Sequence, residues 1–298
     1  MVYAKTGGII GPWPIENRDE GCGSVPSGPA NHDSGANAEL RVAVKDLRGL
    51  FGDAGRKTMP ILPPMHHGPR PLIGLTPNLD VVPADSRGTA THVRINRDYL
   101  EAVVRAGGTP LLLAPELATL PAVLDRLDGV ILTGGDDVDF TLRGGVNHPK
   151  ADCMHPDRQR FDFALLAALD ERPELPVLGI CLGMQEMGLH RGCGFIQHVP
   201  DVVADGERHA GDRIHEVHGS IGHGPIDSAH HQALADAGPF EIVALSDDGL
   251  IEGIRDPSKA FHLGVQWHPE RTADPHLGDG IFSMLVEACR SAAPATPV

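Results

Sequence analysis

The stretch VLGICLGMQ, from Val177 to Gln185, places one cysteine between two glycines, where an apolar run meets a helical pattern. VLGI is a short, continuous apolar run, which predicts a buried strand, and LGMQEMGLHRG after it predicts a helix. A strand that passes directly into a helix is the repeating unit of folds in which helices cover a parallel sheet. The surrounding sequence therefore decides whether the whole chain has that fold.

The same alternation of apolar strands and helices extends on both sides of Cys181. Continuous apolar strands separated by helices indicate a mostly parallel sheet that is covered on both faces. We therefore predict an α/β fold with helices on both faces of the sheet. Strands are predicted in PLIGL, PLLLAP, GVILTGG, PVLGI, FEIVAL, GLIEGI and FHLGVQW. Further helices are predicted in RINRDYLEAVVRAGG, Leu117 to Leu127, DRQRFDFALLAALDER and Gly280 to Arg290.

The first 69 residues differ in composition from the rest of the chain. GCGSVPSGPANHDSGANAE and PILPPMHHGPRP are rich in Gly, Pro, Ser and Asn. Such segments bury too little apolar surface to offset the entropy of the chain. We predict a mostly disordered extension over 1–69, one globular domain over 70–293 and a short tail over 294–298.

Composition excludes several classes of partner. A net charge of -15 and an aromatic content of 4% argue against binding to nucleic acid or to an anionic membrane. No apolar run is long enough to span a bilayer, and the N-terminus lacks the pattern of a secretory signal. Five cysteines, an odd number without paired spacing, favour a reducing compartment. We therefore expect a cytoplasmic protein, and its oligomeric state stays open, a homodimer included.

The pattern G-x-C-x-G around Cys181 matches a nucleophile elbow in which cysteine replaces serine. In such a turn the central residue has a strained backbone, and side chains at Gly179 or Gly183 would clash. The turn exposes the thiol at a helix N-terminus, where the helix dipole favours a thiolate. A buried cysteine in an ordinary strand-to-helix turn is the alternative interpretation.

A thiol nucleophile needs a base that a third group holds in place. His268 and Glu270, in QWHPE, follow an apolar strand, and alternate residues of an extended chain can face one site. We predict that His268 takes the thiol proton and later passes it to the leaving group, while Glu270 orients the imidazole. A lone His-Pro-Glu is more often a surface turn, and this is the alternative interpretation of the motif.

An oxyanion hole needs backbone N–H groups aimed at the developing negative charge. The N–H of Leu182, at the start of the helix, is one candidate donor. The glycine pair Gly134-Gly135 is the other, since glycine allows close approach of the backbone to a ligand, with Gly135 as the donor. No cofactor is predicted, because these side chains and amides supply the whole reaction.

Taken together, GICLGMQ, the upstream ILTGG and the downstream GVQWHPE resemble the class I glutamine amidotransferase-like superfamily, over roughly residues 71–290. That resemblance implies a flavodoxin-like sheet and the roles assigned above to Cys181, His268 and Glu270. YLEAVVRAGGTPLLL, TGGDDVDF, DSAHHQAL and DGLIEGI further resemble the γ-glutamyl-γ-aminobutyrate hydrolase group, of the peptidase C26 type.

This group cleaves a γ-glutamyl amide to glutamate and a free amine, for instance in polyamine catabolism. The resemblance implies that His230, His231 and Gln232 lie near the active site and that Gln185 contacts the glutamyl group. A γ-glutamyl small molecule is therefore the expected partner. Leu182, however, stands where arginine is more usual in that group, and leucine is usual in ammonia-donating amidotransferases.

Other functions stay open at this point. One is a glutamine amidotransferase subunit that passes ammonia to a synthetase partner; hydrolysis of γ-linked polyglutamate is a closer variant of the predicted reaction. A third is a histidine-rich metal-binding protein, or a non-catalytic binding protein. The chain has four histidines close together in one glycine-rich segment, which is why metal binding is considered. Their spacing is not one of the usual zinc-binding spacings, so we predict no metal site. They are His209, His215, His218 and His223.

Overall fold

The structure, a computed structural model, describes residues 9–10, 70–84 and 88–292. The predicted disorder of the extension and the predicted tail therefore lie almost entirely outside the described residues. The exception is a two-residue strand, β1 (Ile9–Ile10), which pairs antiparallel with β8 (Phe195–Ile196). The opposite edge of β8 pairs with β11 (Ala233–Leu234), so β8 is the central strand of this small sheet.

Five parallel strands form one half of the main sheet, and they are the apolar runs that the sequence predicts. Their order is β14-β7-β6-β2-β5, and each neighbouring pair is parallel. All side chains of β6, β7 and β14 are buried, as expected for strands that are covered on both faces. The bounds are β2 (Leu72–Leu75), β5 (Thr109–Leu112), β6 (Gly129–Leu132), β7 (Val177–Ile180) and β14 (His262–Val265).

Four antiparallel strands extend the sheet beyond β14, in the order β10-β9-β12-β13. The sequence predicts β12 and β13, which are FEIVAL and GLIEGI. It does not predict β9 and β10, whose glycines, proline and aspartate have low strand propensity. The bounds are β9 (Arg213–Gly219), β10 (Gly222–Ser228), β12 (Glu241–Ser246) and β13 (Ile251–Arg255).

A second hairpin, β3 (Asn78–Ala84) with β4 (Gly88–Arg94), was also not predicted from the sequence. Most of its side chains are at least partly exposed, so it lacks the apolar alternation that marks a strand. Both missed hairpins are held by main-chain pairing that apolar patterning does not report.

Helices cover both faces of the sheet, which confirms the predicted α/β fold. On one face α1 (Arg97–Arg105) and α5 (Asp279–Ala292) share a core with Ile73, Ile131 and Val265. The other face is covered by α2 (Leu120–Leu124), α3 (Pro156–Asp170) and α4 (Leu182–His190). The predicted helix over 117–127 is shorter than expected, because its first turn is a 3₁₀ turn at Leu117–Thr119. Among the described residues, no helix has the length and apolar character that a membrane span requires.

The junction of β7 and α4 is packed so closely that only glycine fits on either side of Cys181. A methyl group on Gly179 would lie 2.8 Å from the backbone of Gly183 and Met184, and one on Gly183 would lie 2.7 Å from Cβ of Leu132. The clash predicted from the G-x-C-x-G pattern is therefore present at both glycines.

Replacing Gly183 by alanine tests this packing. Helix propensity alone predicts that alanine stabilises α4 by about 1 kcal/mol. The new methyl group, however, would collide with the carbonyl oxygen of Leu132, which cannot move without disturbing β6. We expect Gly183→Ala to lower the free energy of unfolding by about 1–3 kcal/mol, the usual cost of overpacking, in urea denaturation. A variant as stable as the parent, or more stable, would contradict the packing described here.

Candidate active site

Cys181 occupies a strained turn between β7 and α4. Its backbone has φ 50° and ψ -104°, a conformation that is rare for a residue with a side chain. The strand hydrogen-bond pattern runs up to this residue, since the Cys181 N–H donates to the carbonyl oxygen of Val265 at 2.8 Å. The turn therefore places the sulfur at the carboxyl end of the parallel strands, where α/β folds place their ligands.

His268 and Glu270 lie just beyond β14, the strand next to β7. His268 Nδ1 is 2.7 Å from Glu270 Oε1, and Glu270 is almost fully buried. The loop is fixed at both ends of His268, because its N–H donates to Asp227 and its carbonyl oxygen accepts from the Thr272 hydroxyl. With Nδ1 turned to Glu270, the other ring nitrogen is left for Cys181.

The charge state of His268 follows from these neighbours. Burial disfavours the charged imidazolium, but the charge of Cys181 and the hydrogen bonds to Cys181 and Glu270 outweigh it and raise the pKa of His268 to about 10. The structure thus brings Cys181, His268 and Glu270 together, with the imidazole protonated at neutral pH. Three residues from two loops, 87 positions apart in the chain (181 and 268), meet at one edge of the sheet.

Gly134 brings the end of β6 against the same group. A methyl group there would lie 2.9 Å from Cε1 of His268 and 3.6 Å from Cβ of Cys181. The adjacent Gly135 is exposed, and Leu182 begins α4 directly after Cys181. The N–H groups in the first turn of a helix have no partner within the helix. Leu182 therefore borders the cysteine directly, whereas the nearest neighbours of Gly135 are Arg158 and Asn78, and the two amides remain predicted donors of the oxyanion hole.

Tyr99 of α1 is a site residue that the sequence analysis missed. Its buried hydroxyl oxygen accepts the Gly134 N–H at 3.1 Å and lies 3.4 Å from His268 Nδ1. Burial, with the nearby charges of Glu270 and Cys181, raises the pKa of this hydroxyl well above its usual range, so it stays protonated. In the sequence Tyr99 was only one apolar residue of a helix face, and no local signal distinguished it.

Arg158 of α3 was missed as well. It is fully buried, pairs with Asp162 one turn later at 3.1 Å, and donates to the carbonyl oxygens of Thr133 and Gly134. Through these hydrogen bonds the guanidinium fixes the backbone of the glycine turn at Gly134-Gly135. The other arginine in this part of the helix, Arg160, is exposed and pairs with Asp157.

The glutamines near Cys181 form a buried chain of amides. Gln266 Nε2 is 3.5 Å from the Cys181 sulfur, and Gln185 Nε2 donates to Gln266 Oε1 at 3.2 Å and to the carbonyl oxygen of Gln232 at 3.0 Å. Gln266 lies within the GVQWHPE motif but was not singled out in the sequence. The Gln185 amide nitrogen is thus used in hydrogen bonds within the protein. In contrast, neither polar atom of the Gln232 side chain has a hydrogen-bond partner among the described residues.

The two predicted histidines of DSAHHQAL face different neighbours. His231 Nε2 is 2.8 Å from Asp137 Oδ2, and this hydrogen bond raises the pKa of His231 despite its partial burial. His230 is buried and turns toward Glu252 of β13, at 3.5 Å. His231 therefore connects the loop after β10 to Asp137, just after the glycine turn, and His230 connects the same loop to the antiparallel strand β13.

The ionisation of His268 provides a test of this geometry. A ring-proton or carbon NMR titration should show His268 still protonated at pH 8 and titrating near pH 10. In Cys181→Ser the negative partner is lost, so the pKa of His268 should fall toward its ordinary value of about 6.5. His262 is an internal control, because its burial and the charge of Lys259 lower its pKa to about 4. An ordinary pKa for His268 in the parent protein would contradict the arrangement.

Comparison with known proteins supports the fold and the family. A solved structure from Thermoplasma acidophilum, described provisionally as one of the subunits of GMP synthase, superposes with a TM-score of 0.51 at 17% identity. The superposition covers 76% of this chain and 96% of the Thermoplasma chain, and at 17% identity it supports the fold alone.

Two relatives are closer in sequence. A protein of Mycobacterium tuberculosis, named provisionally as the glutamine amidotransferase Rv2859c, is 34% identical over 235 residues, which is 74% of this chain and 75% of that protein. The γ-glutamyl-γ-aminobutyrate hydrolase PuuD of Escherichia coli (strain K12) is 31% identical over 232 residues, 68% of this chain and 89% of the relative. The family model described as Peptidase C26 matches residues 71–270, from β2 to the His-Pro-Glu loop. The family that the motifs predicted is thereby confirmed, and the chain belongs to the Peptidase C26 family.

Proposed function

We propose that the protein hydrolyses γ-glutamyl amides to glutamate and a free amine, with Cys181, His268 and Glu270 as its catalytic triad. The observation that carries the proposal is the strained Cys181 turn beside His268, whose Nδ1 lies 2.7 Å from Glu270 Oε1 and whose pKa the two neighbours raise. A cysteine held only by packing would need neither the strain nor the ion pair.

The reaction runs in two halves. The Cys181 thiolate attacks the γ-carbonyl carbon, and the C–N bond breaks as His268 passes its proton to the leaving amine. The glutamyl thioester is then attacked by water, whose proton goes to His268, and the C–S bond breaks to release glutamate. Glu270 holds the imidazole in one orientation throughout.

The backbone stabilises the oxyanion of each tetrahedral intermediate in this proposal. The N–H groups of Leu182 and Gly135 are the donors, and each comes from a turn that a neighbouring contact holds rigid. Arg158 fixes the glycine turn, and the β7–α4 packing fixes Leu182. Donors that are fixed before the reaction need no reorganisation when the charge develops.

Recognition of the glutamyl end falls to the loop after β10. Gln232 has unpartnered donor and acceptor atoms, and His231, whose pKa is raised by its hydrogen bond to Asp137, suits a carboxylate. Gln185 and His230 are engaged within the protein, so in this proposal they position the loop. The relative PuuD supports the substrate class by its name, γ-glutamyl-γ-aminobutyrate hydrolase.

Donation of ammonia to a synthetase, as in a glutamine amidotransferase, is the second candidate. Leu182 favours it, and the mycobacterial relative carries that name. The two functions differ in what the purified chain does alone. A hydrolase should release amine from γ-glutamyl amines without a partner, whereas an ammonia-donating chain should act on glutamine and depend on its synthetase.

The nucleophile is tested by Cys181→Ala in an assay of amine release from γ-glutamyl-γ-aminobutyrate, γ-glutamylputrescine and glutamine. Removing the sulfur should lower kcat at least about 1,000-fold, as the loss of a nucleophile does in comparable enzymes. Cys289→Ala is the matched control, since Cys289 is equally buried but packs against Gly129 at the opposite end of β6. Substantial activity in Cys181→Ala, or equal losses in both variants, would refute the proposed mechanism.

Tyr99 is a positioning residue in this scheme, and Tyr99→Phe tests it. The change removes the acceptor of the Gly134 N–H and leaves a buried amide unpaired, which costs about 1–3 kcal/mol of stability. We expect kcat to fall with little change in KM, and the alkaline limb of the pH–rate profile to move as the surroundings of His268 change. Loss of stability with an unaltered kcat and pH profile would leave Tyr99 without a role at the site.

A further inference from the structure

Four buried side chains that the proposed reaction does not use converge on one point in the antiparallel half of the protein. Each comes from a different segment, and none is more than 9% exposed. They are His209 of the 3₁₀ turn before β9, His215 of β9, His230 of the loop after β10, and Glu252 of β13. Their four candidate ligand atoms all lie within 4.8 Å of one another.

The outward-facing nitrogen of each ring is bound to an oxygen. His209 Nε2 is 2.9 Å from Asp248 Oδ2, His215 Nδ1 is 3.2 Å from the carbonyl oxygen of Glu216, and His230 Nδ1 is 2.9 Å from that of Gln232. Carbonyl and carboxylate oxygens only accept, so these ring nitrogens carry the protons. Each ring therefore has one nitrogen left that faces the other side chains, and in a neutral imidazole this nitrogen carries a lone pair that can bind a metal ion.

The inward atoms have no hydrogen-bond partners among the described residues. His209 Nδ1, His215 Nε2 and His230 Nε2 lie 3.3, 3.6 and 3.5 Å from Glu252 Oε1, longer than normal N–H···O hydrogen bonds. Both oxygens of Glu252 are likewise unpartnered. A buried carboxylate that faces three ring nitrogens needs a positive charge close to it, which either a metal ion or a proton on one of the rings can supply.

The three nitrogen–oxygen separations are close to those between ligands around one metal ion. With zinc–nitrogen and zinc–oxygen bonds of about 2.0–2.1 Å, the ligand atoms of a tetrahedral site lie about 3.3 Å apart. The outer hydrogen bonds also match, because histidine ligands almost always donate their second N–H to a carboxylate or a carbonyl oxygen. We propose that His209, His215, His230 and Glu252 bind one Zn²⁺ ion.

The site is closed and therefore structural in this proposal. Four protein ligands complete a tetrahedral zinc site and leave no position for a reacting water. The ion would tie the hairpin β9–β10, the loop after β10 and β13 to one point. A chain of hydrogen bonds connects this point to Cys181. The His230 ring binds the carbonyl oxygen of Gln232, which also accepts from Gln185, and Gln185 in turn donates to Gln266 next to the Cys181 sulfur.

A second histidine cluster in the described residues is explained without a metal. His148 and His198 both bind Asp201, at 3.1 Å and 2.8 Å, and their rings stack. Asp201 is exposed, and these contacts are ordinary hydrogen bonds. This cluster therefore serves as a control.

Metal content of the full-length, untagged protein tests the proposal. Inductively coupled plasma mass spectrometry should find about one zinc per chain in protein purified without chelator. After removal of the metal with a zinc chelator, titration with Zn²⁺ should restore one equivalent and raise Tm. Co²⁺ in its place should give the intense visible absorption of a tetrahedral complex.

Matched variants locate the ion. Glu252→Gln keeps the shape of the side chain and should lose at least 100-fold in zinc affinity, and His215→Ala should not retain zinc after dialysis. His218→Ala, at an exposed position of the same strand, and His148→Ala, in the second cluster, should keep one zinc each.

Three results would overturn the proposal. One is folded parent protein that takes up no zinc at micromolar concentration; another is zinc retained with parental affinity in Glu252→Gln; the third is zinc lost from His148→Ala alone. The first measurement needs no variant, so misfolding of a substituted chain does not affect it. None of these readouts depends on the proposed hydrolase activity.

Discussion

The close packing of α4 against β6 and β7 is the constraint on which the rest of the site depends. Glycines at 179 and 183 let the helix begin immediately at the end of the strand, and Cys181 takes up the strain of that turn. Because the turn is held from both sides, the sulfur has little freedom to relax into the interior. The neighbouring strands β14 and β6 then need only short loops to bring His268 and Gly134 to it. A site assembled from strand ends of one rigid sheet is precise without long-range adjustment.

The interior around this site is polar and closely connected. Arg158 holds the glycine turn, Tyr99 joins that turn to His268, and the amides of Gln185 and Gln266 link Cys181 to the loop after β10. Each of these groups is buried, so each would be costly without its partner. Their hydrogen bonds therefore tie the orientation of the reactive groups to the stability of the fold.

The sequence predicts those parts of the protein that depend on local patterns, such as apolar runs and short motifs. Continuous apolar runs identified the parallel strands, and G-x-C-x-G with the His-Pro-Glu loop located Cys181, His268 and Glu270, which the structure brings together. Tyr99 and Arg158 were missed because their roles arise from contacts with distant loops, while their local surroundings are those of ordinary helices. The hairpin β9–β10 was missed because its glycines and proline weaken the strand pattern. The cluster around Glu252 was missed because its four side chains come from four segments and no single motif contains them; of the four histidines considered together in the sequence, only His209 and His215 belong to it.

The most direct test of the account is whether a glutamyl group becomes attached to Cys181 during turnover. The protein is mixed with γ-glutamyl-γ-aminobutyrate and quenched with acid while substrate is still being turned over. The quenched protein is then digested and analysed by mass spectrometry. We predict one γ-glutamyl group in thioester linkage on the peptide that contains Cys181, disappearing as the substrate is consumed. Amine release with no adduct at any time, or an adduct on another residue, would contradict the claim that the strained turn presents the nucleophile.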